Sequence, residues 1–254
     1  MCCPFRTGNS RAVELRGRNA LVTGAGIRLG RAIAFGLIRR GVNVAVHYFH
    51  SAPGARSTAV EGEAGGVKVA LLEADVSDAV QAEALAGRAS AALGGLDIVV
   101  NSAAIMERRP LAEVTPADWD RTMDLNLRGA FFVAKGAASV MAEKGGAIVN
   151  MADIAAFERW KQYPAHCISK AGIVAMTELL AKTLAPKIRV NAVAPGAVLL
   201  PEDWSAGARA RVVGSTPLGR LGSPGDVVGA VLFLLEQEYV TGETLVVDGG
   251  RLLR

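Results

Sequence analysis

The stretch Arg18-Asn19-Ala20-Leu21-Val22-Thr23-Gly24-Ala25-Gly26-Ile27-Arg28-Leu29-Gly30-Arg31 decides the fold. Its apolar run, Ala20 to Val22, reads as a buried strand. Thr23-Gly24 breaks the strand, Gly26 and Gly30 bracket a turn, and a helical pattern starts through Leu29, Ile33 and Leu37. A second strand-like run, Val42 to His47, follows that helix. Strand, glycine-rich turn and helix together aim backbone N–H groups and a positive helix end at a pyrophosphate. Glycines are needed because a side chain would block close approach to the phosphates. A glycine string alone is also an ordinary tight turn; the βαβ context makes dinucleotide binding the better reading.

Outward from this stretch, apolar strands alternate with amphipathic helices. Strands are predicted at 18–23, 42–47, 67–73, 96–101, 146–151, 187–193 and 243–247. Helices are predicted at 28–40, 55–64, 77–93, 116–142, 163–184 and 224–236. Alternation of this kind predicts a parallel sheet with helices on both faces. Thr115-Pro116 and Ser223-Pro224 are helix starts, with a hydroxyl cap and proline in the first turn.

The 254 residues, 51% of them hydrophobic and 29 of them glycine, suit one large α/β domain. The domain is expected over 17–254, after a flexible extension over 1–16. A net charge of 28 − 24 = +4 is too mild to imply nucleic acid. Two of the three cysteines, Cys2 and Cys3, are adjacent near one end, and Cys167 is alone. That pattern gives no disulfide framework and fits a reducing compartment. The first residues carry no apolar signal core, and no uncharged apolar run spans a bilayer. The expectation is a soluble, cytoplasmic protein acting on a small molecule, with neither nucleic acid nor membrane as partner and no metal site.

In such sheets, ligands sit beyond the carboxyl ends of the strands. The residues to read there are Gly24 to Gly30, His47 to Ser51, Asp75-Val76, Asn101 to Ala104, Asp153 and Pro195-Gly196. An acidic residue after the second strand would mark NAD. No Asp or Glu occurs between Glu14 and Glu61, while seven arginines do: Arg16, Arg18, Arg28, Arg31, Arg39, Arg40 and Arg56. Arg39 and Arg40 read as a solvated basic face. Arg28 in the glycine turn, with His50-Ser51 after the strand, suits a dianionic 2′-phosphate and so NADP.

Together these residues resemble the short-chain dehydrogenase/reductase family, over nearly the whole chain from Gly17. The resemblance rests on Thr23-Gly24-x5-Gly30, Asp75-Val76, Asn101-Ser102-Ala103-Ala104, Asn126, Ser169-Lys170, Asn191 to Gly196 and Val247-Asp248-Gly249-Gly250. Within the family the chain is most similar to bacterial pteridine reductases. Arg28, His47-Tyr48-x-x-Ser51, Asp153 in place of a catalytic Ser, and Pro195 to Glu202 carry that likeness. The resemblance implies a Rossmann fold with a seven-stranded parallel sheet. It implies NADP(H) held by Gly24, Gly26, Arg28, Leu29, Gly30, His47, His50, Ser51, Asp75, Val76, Asn101, Ala103, Lys170, Pro195, Gly196 and Val198. It implies hydride transfer, with Lys170 on the nicotinamide ribose and Asn126 anchoring a water that leads to Lys170. It also implies a homotetramer, joined through the helices at 116–142 and 163–184.

The sequence departs from the family at its proton donor. Counting four residues back from Lys170, where the family has Tyr, this chain has His166. Asp153 stands thirteen residues before it, at the family's spacing. Tyr163 precedes Pro164, which disfavours helical backbone there, so it reads as packing at the helix start. Met106 takes the place of a Phe that stacks on the pterin. Asn101-Ser102 replaces the common Asn-Asn. Trp160 and Trp204 flank the predicted site as candidate pocket walls. Phe131, Phe132 and Met123 read as core or subunit contact, and Trp119 as packing under the same helix. Cys167, beside His166, faces another side of the helix and reads as core. Imidazole is a competent acid near neutral pH, and with it the resemblance implies a catalytic set of Asp153, His166, Lys170 and Asn126. Three readings stand: a pteridine-reductase-like enzyme, a carbonyl or hydroxyl dehydrogenase for another small substrate, and an NADP-binding protein with little turnover.

Overall fold

The computed structural model describes residues 13–200 and 204–253. Its seven strands are β1 (Asn19–Val22), β2 (Asn43–Tyr48), β3 (Val69–Glu73), β4 (Ile98–Asn101), β5 (Gly146–Met151), β6 (Ile188–Pro195) and β7 (Thr244–Val247). All pair in parallel, in the order β3-β2-β1-β4-β5-β6-β7. The central strands are mostly apolar because helices cover both faces, with Asn101 and Asn150 as buried polar exceptions.

The helices are α1 (Arg28–Arg39), α2 (Ala52–Ala64), α3 (Ala79–Leu93), α4 (Pro116–Met123), α5 (Ala130–Met141), α6 (Ala155–Glu158), α7 (Pro164–Leu184), α8 (Ala206–Gly214) and α9 (Pro224–Glu236). One face packs Leu85 of α3, Ala137 and Met141 of α5, and Ile173 and Met176 of α7. The other packs Ile33 and Leu37 of α1 against Val227, Val231 and Leu235 of α9. Both hydroxyl caps form full capping boxes, Thr115 with Asp118 and Ser223 with Asp226.

Four details differ from the sequence expectations. The helix expected over 116–142 is interrupted: Asp124–Gly129 forms a π turn between α4 and α5. The helices α6 and α8 were not expected, since neither has a strong apolar stripe. α2 begins at Ala52 rather than 55, with Ser51 at its N-cap. The packed domain begins before Gly17: the Val13 N–H donates to Glu236 O at 2.9 Å, and Leu15 is buried. The rest of the expected extension, 1–12, lies outside the described residues, as do Pro201 and Glu202.

The glycine turn after β1 is clamped from several sides. Thr23 Oγ1 accepts from Ser102 N at 2.9 Å and Ala103 N at 3.0 Å, joining the ends of β1 and β4. Gly24 sits at φ +65°, and a Cβ there would lie 2.9 Å from Ala103 Cα. A Cβ on Gly30 would meet Gly24 O at 2.3 Å. From the far side α2 presents Gly54, where a Cβ would lie 1.9 Å from Gly26 O. Gly54→Ala therefore overpacks the turn and should destabilise the fold by about 1–3 kcal/mol. A thermal unfolding scan should show the loss as a lowered Tm, by about 2–4 °C per kcal/mol in a chain of this size.

Candidate active site

Two adjoining cavities open beyond the carboxyl ends of the strands, at the point between β1 and β4 where the strand order reverses. The first of the pair has a volume of about 760 Å³ and is lined by Gly24, Leu29, Gly30, His47, His50, Ser51, Asp75, Val76 and Ala103.

 The second of the pair, of about 420 Å³, is lined by Met106, Asp153, Trp160, Tyr163, His166, Lys170, Pro195, Gly196, Val198 and Trp204. Arg28, Leu29, Ser102, Ala104 and Ile105 line both, so the two form one cleft.

The first cavity has the shape and chemistry of a dinucleotide site. Glycine backbone forms its floor at the start of α1, in places where a Cβ would collide with neighbouring backbone. Its wall beyond β2 carries His50 and Ser51 and no carboxylate. Asp75 faces it across the cleft, its Oδ1 accepting from Ser77 N at 2.9 Å and Ser77 Oγ at 2.7 Å.

Several expected cofactor contacts are placed differently. His47 lines the cavity but has both ring nitrogens engaged. The Gly24 N–H donates to Nδ1 at 3.1 Å, and Nε2 donates to Ala74 O at 3.0 Å. It fastens the glycine turn to the chain after β3. Arg28 was paired with Ser51 on sequence; its Nη2 instead donates to Leu199 O at 2.6 Å, tying the glycine turn to the segment after β6. Gly26 lies behind the cavity, since a Cβ there would meet Ser51 Oγ at 2.2 Å. Asn101 is buried below the cleft, its Nδ2 donating to Asn150 Oδ1 at 2.9 Å and Ala130 O at 3.2 Å.

The second cavity brings Asp153, His166 and Lys170 together. Asp153 follows β5, and its Oδ1 accepts the Ala155 N–H at 2.7 Å, capping α6. His166 and Lys170 are one turn apart on α7 and share a face. Both are buried. His166 Nδ1 lies 3.1 Å from Ile105 O. A carbonyl only accepts, so Nδ1 carries the proton. Nε2 then faces Asp153 Oδ2 at 3.7 Å and has no hydrogen-bond partner among the described residues. Lys170 Nζ donates to Met151 O at 2.7 Å. Burial pushes the Lys170 ammonium down to about 8, with Asp153 pulling the other way. Asn126, in the π turn, grips Ile105: its Nδ2 donates to Ile105 O at 2.9 Å, and its Oδ1 accepts the Ile105 N–H at 2.8 Å. It also donates to Ser169 Oγ at 3.1 Å. Asn126 thus sits behind Ile105 rather than lining the cleft.

Tyr163 was expected to pack at the helix start, yet it lines the cavity beside Trp160, the two rings edge to face at 6.0 Å. Leu199, Leu200 and Arg251 also line the cavity and were not expected there.

A family model described as Enoyl-(Acyl carrier protein) reductase matches residues 24–251. The chain belongs to the short-chain dehydrogenase/reductase family. The 3-oxoacyl-[acyl-carrier-protein] reductase FabG of Staphylococcus aureus is 33% identical over 239 residues, spanning 92% of this chain and 97% of that one. FolM alternative dihydrofolate reductase 1 from Brucella canis, solved with NADP, superposes with a TM-score of 0.89 at 28% identity, covering 95% of this chain and 96% of that one. A blue fluorescent protein from a metagenomic library, solved with NADPH, gives 0.87 at 32% identity, covering 94% and 99%. No helix among the described residues is long and apolar enough to cross a membrane.

The His47 clamp yields a pH prediction. Burial holds its imidazole below the ordinary value of 6.5, against a smaller pull from Ala74 O. A second ring proton would displace the Gly24 N–H. The unfolded chain takes that proton as pH drops through 6.5, while the folded chain resists it. The stability His47 contributes is therefore full above pH 6.5 and is lost progressively as pH falls below it. Urea midpoints measured on both sides of that value should show a smaller acid-side loss in His47→Gln than in the unaltered protein. The variant itself should be less stable at neutral pH, by about 1–3 kcal/mol.

Proposed function

We propose that the protein is an NADPH-dependent reductase of a small planar substrate, similar to the pteridine reductases, with His166 and Asp153 as its proton-donating pair. The observation that carries this reading is His166 Nε2, buried at the cavity wall, without a hydrogen bond among the described residues, 3.7 Å from Asp153 Oδ2. NADP in the FolM structure and NADPH in the blue fluorescent protein support the cofactor assignment. Gly24, Leu29 and Gly30 would cradle the pyrophosphate, and His50 and Ser51 would face the 2′-phosphate. Lys170 would hold the nicotinamide ribose.

When bound, the cofactor supplies a hydride. The chain supplies the proton. Ile105 O keeps Nδ1 protonated, so the transferable proton sits on Nε2. Asp153 Oδ2, 3.7 Å from Nε2, would orient that proton toward the cavity. After transfer, the neutral ring is left as the tautomer that Ile105 O requires. Met106, Trp160, Tyr163 and Trp204 give the cavity flat apolar walls, which favours a planar substrate over an aliphatic carbonyl. FabG's name keeps carbonyl reduction as the second reading, and it would use the same acid pair.

NADPH should bind more tightly than NADH. His166→Ala should lower kcat with a dihydropterin by about 10²–10⁴-fold, while the Kd for NADPH is unchanged. Wild-type kcat in that variant would remove His166 from the mechanism. Binding of NADPH without turnover of any planar or carbonyl substrate would favour the low-turnover reading.

The same reading includes a homotetramer. Trp119, Phe131 and Leu179 are partly exposed along α4, α5 and α7. With Met123 and Leu127 they form an apolar hollow suited to a second copy. Light scattering should give four times the chain mass, and Leu179→Glu should lower it.

A further inference from the structure

Trp160 is held in place by a chain of contacts that reaches the C-terminal segment. Its indole N–H donates to Glu158 Oε2, and Arg251 Nε donates to Glu158 Oε1 at 2.9 Å. Arg251 is itself set by Asp248, whose two carboxylate oxygens accept the N–H groups of Gly250 at 2.8 Å and Leu252 at 2.7 Å. The Trp160 backbone N–H donates to Cys167 Sγ at 3.1 Å, fixing its base to α7.

The backbone that delivers Trp160 is strained. Arg159 lies at φ +56°, in the left-handed region that side chains disfavour. Arg28 and Arg159 are the two non-glycine residues in that region among the described residues. One lines the cleft and the other precedes its aromatic wall. Strain of this kind persists where surrounding contacts over-determine it. Here it turns the indole so that its plane lies 12° from the His166 ring, with centroids 6.5 Å apart.

We propose that Glu158 and Arg251 are positioning residues that lock Trp160 as the flat wall beside His166, and so select planar, conjugated substrates. This rests on the reductase reading above for its substrate but not for its geometry. An indole that is polar at one edge must find a partner when it packs against a cavity. Glu158 supplies that partner, and Arg251 keeps Glu158 from turning to solvent. With the ion pair gone, the carboxylate swings away and the indole gains rotamers. The cavity then loses its flat wall while the cofactor floor, built by other elements, is untouched.

The test uses the full chain with Trp119→Phe and Trp204→Phe, leaving Trp160 as its one tryptophan. Acrylamide quenching then reads the solvent access of that indole. Arg251→Gln and Glu158→Leu should raise the quenching. Glu158→Gln, which keeps an acceptor for the indole, should raise it less, and Arg251→Lys should partly restore the original value. In the chain with all three tryptophans, the same variants should raise KM for a dihydropterin by roughly ten- to a hundredfold. KM for a short aliphatic ketone, where it is turned over, should rise less, and the Kd for NADPH should hold. Unchanged quenching in Arg251→Gln and Glu158→Leu overturns the proposal. So does a fall in NADPH affinity that tracks the rise in KM, because that marks a general structural role. Raised quenching with no turnover of either probe by the unaltered protein would sink the reductase reading and leave the Trp160 lock standing.

Discussion

One backbone oxygen constrains the chemistry of the cleft. Ile105 O accepts from Asn126 Nδ2 and from His166 Nδ1, two donors on different helices. Because it cannot donate, it decides the tautomer of the imidazole and turns Nε2 toward Asp153. Ile105 is itself fixed by its own N–H on Asn126 Oδ1. The π turn explains how Asn126 gets there. An inserted residue widens one turn and redirects a side chain that a regular helix would carry past. Gly129 closes that turn against the chain after β3, where a Cβ would lie 2.3 Å from Val76 O.

Below this layer runs a buried polar ladder. Asn101 Nδ2 donates to Asn150 Oδ1, Asn150 Nδ2 donates to Thr177 Oγ1 at 2.9 Å, and Thr177 Oγ1 donates to Ile173 O at 2.8 Å. Each member is buried. These bonds tie β4, β5 and α7 together, with Asn101 Oδ1 the one oxygen of the ladder left without a partner among the described residues. Asp153 leaves the end of β5 and His166 lies on α7. Their 3.7 Å separation is therefore set by the floor beneath them as well as by their own contacts.

Much of this was legible in the chain. All seven strands were found from their apolar runs, which are densest in the central strands, where helices cover both faces. The glycine turn and both capping boxes carry local signatures that depend on neighbours in sequence. What the sequence hid depends on distant partners. The bond from Arg28 to Leu199 O spans 171 residues, and that from Gly24 N to His47 spans 23. No local pattern distinguishes an arginine aimed at a phosphate from one aimed at a carbonyl. The π turn was invisible because no proline interrupts the helical pattern between 117 and 142. Helix α8 was missed because Ala208 to Arg211 alternates alanine with arginine and gives no clear face.

The pair His166-Cys167 shows how far adjacency in sequence can mislead about chemistry. Successive residues on a helix point about 100° apart. His166 turns to the cleft, while Cys167 turns to the backbone of Trp160, whose N–H it accepts. Burial pushes the Cys167 thiol up from its ordinary value, which disfavours the thiolate a nucleophile needs. The partners that give His166 its chemical character lie 13 residues away, at Asp153, and 61 residues away, at Ile105. Cys167 acts instead on the wall of the cavity, where it anchors the residue that stacks on its neighbour. Two adjacent residues thus serve one site from opposite sides, one through its own ring and the other through the backbone it holds.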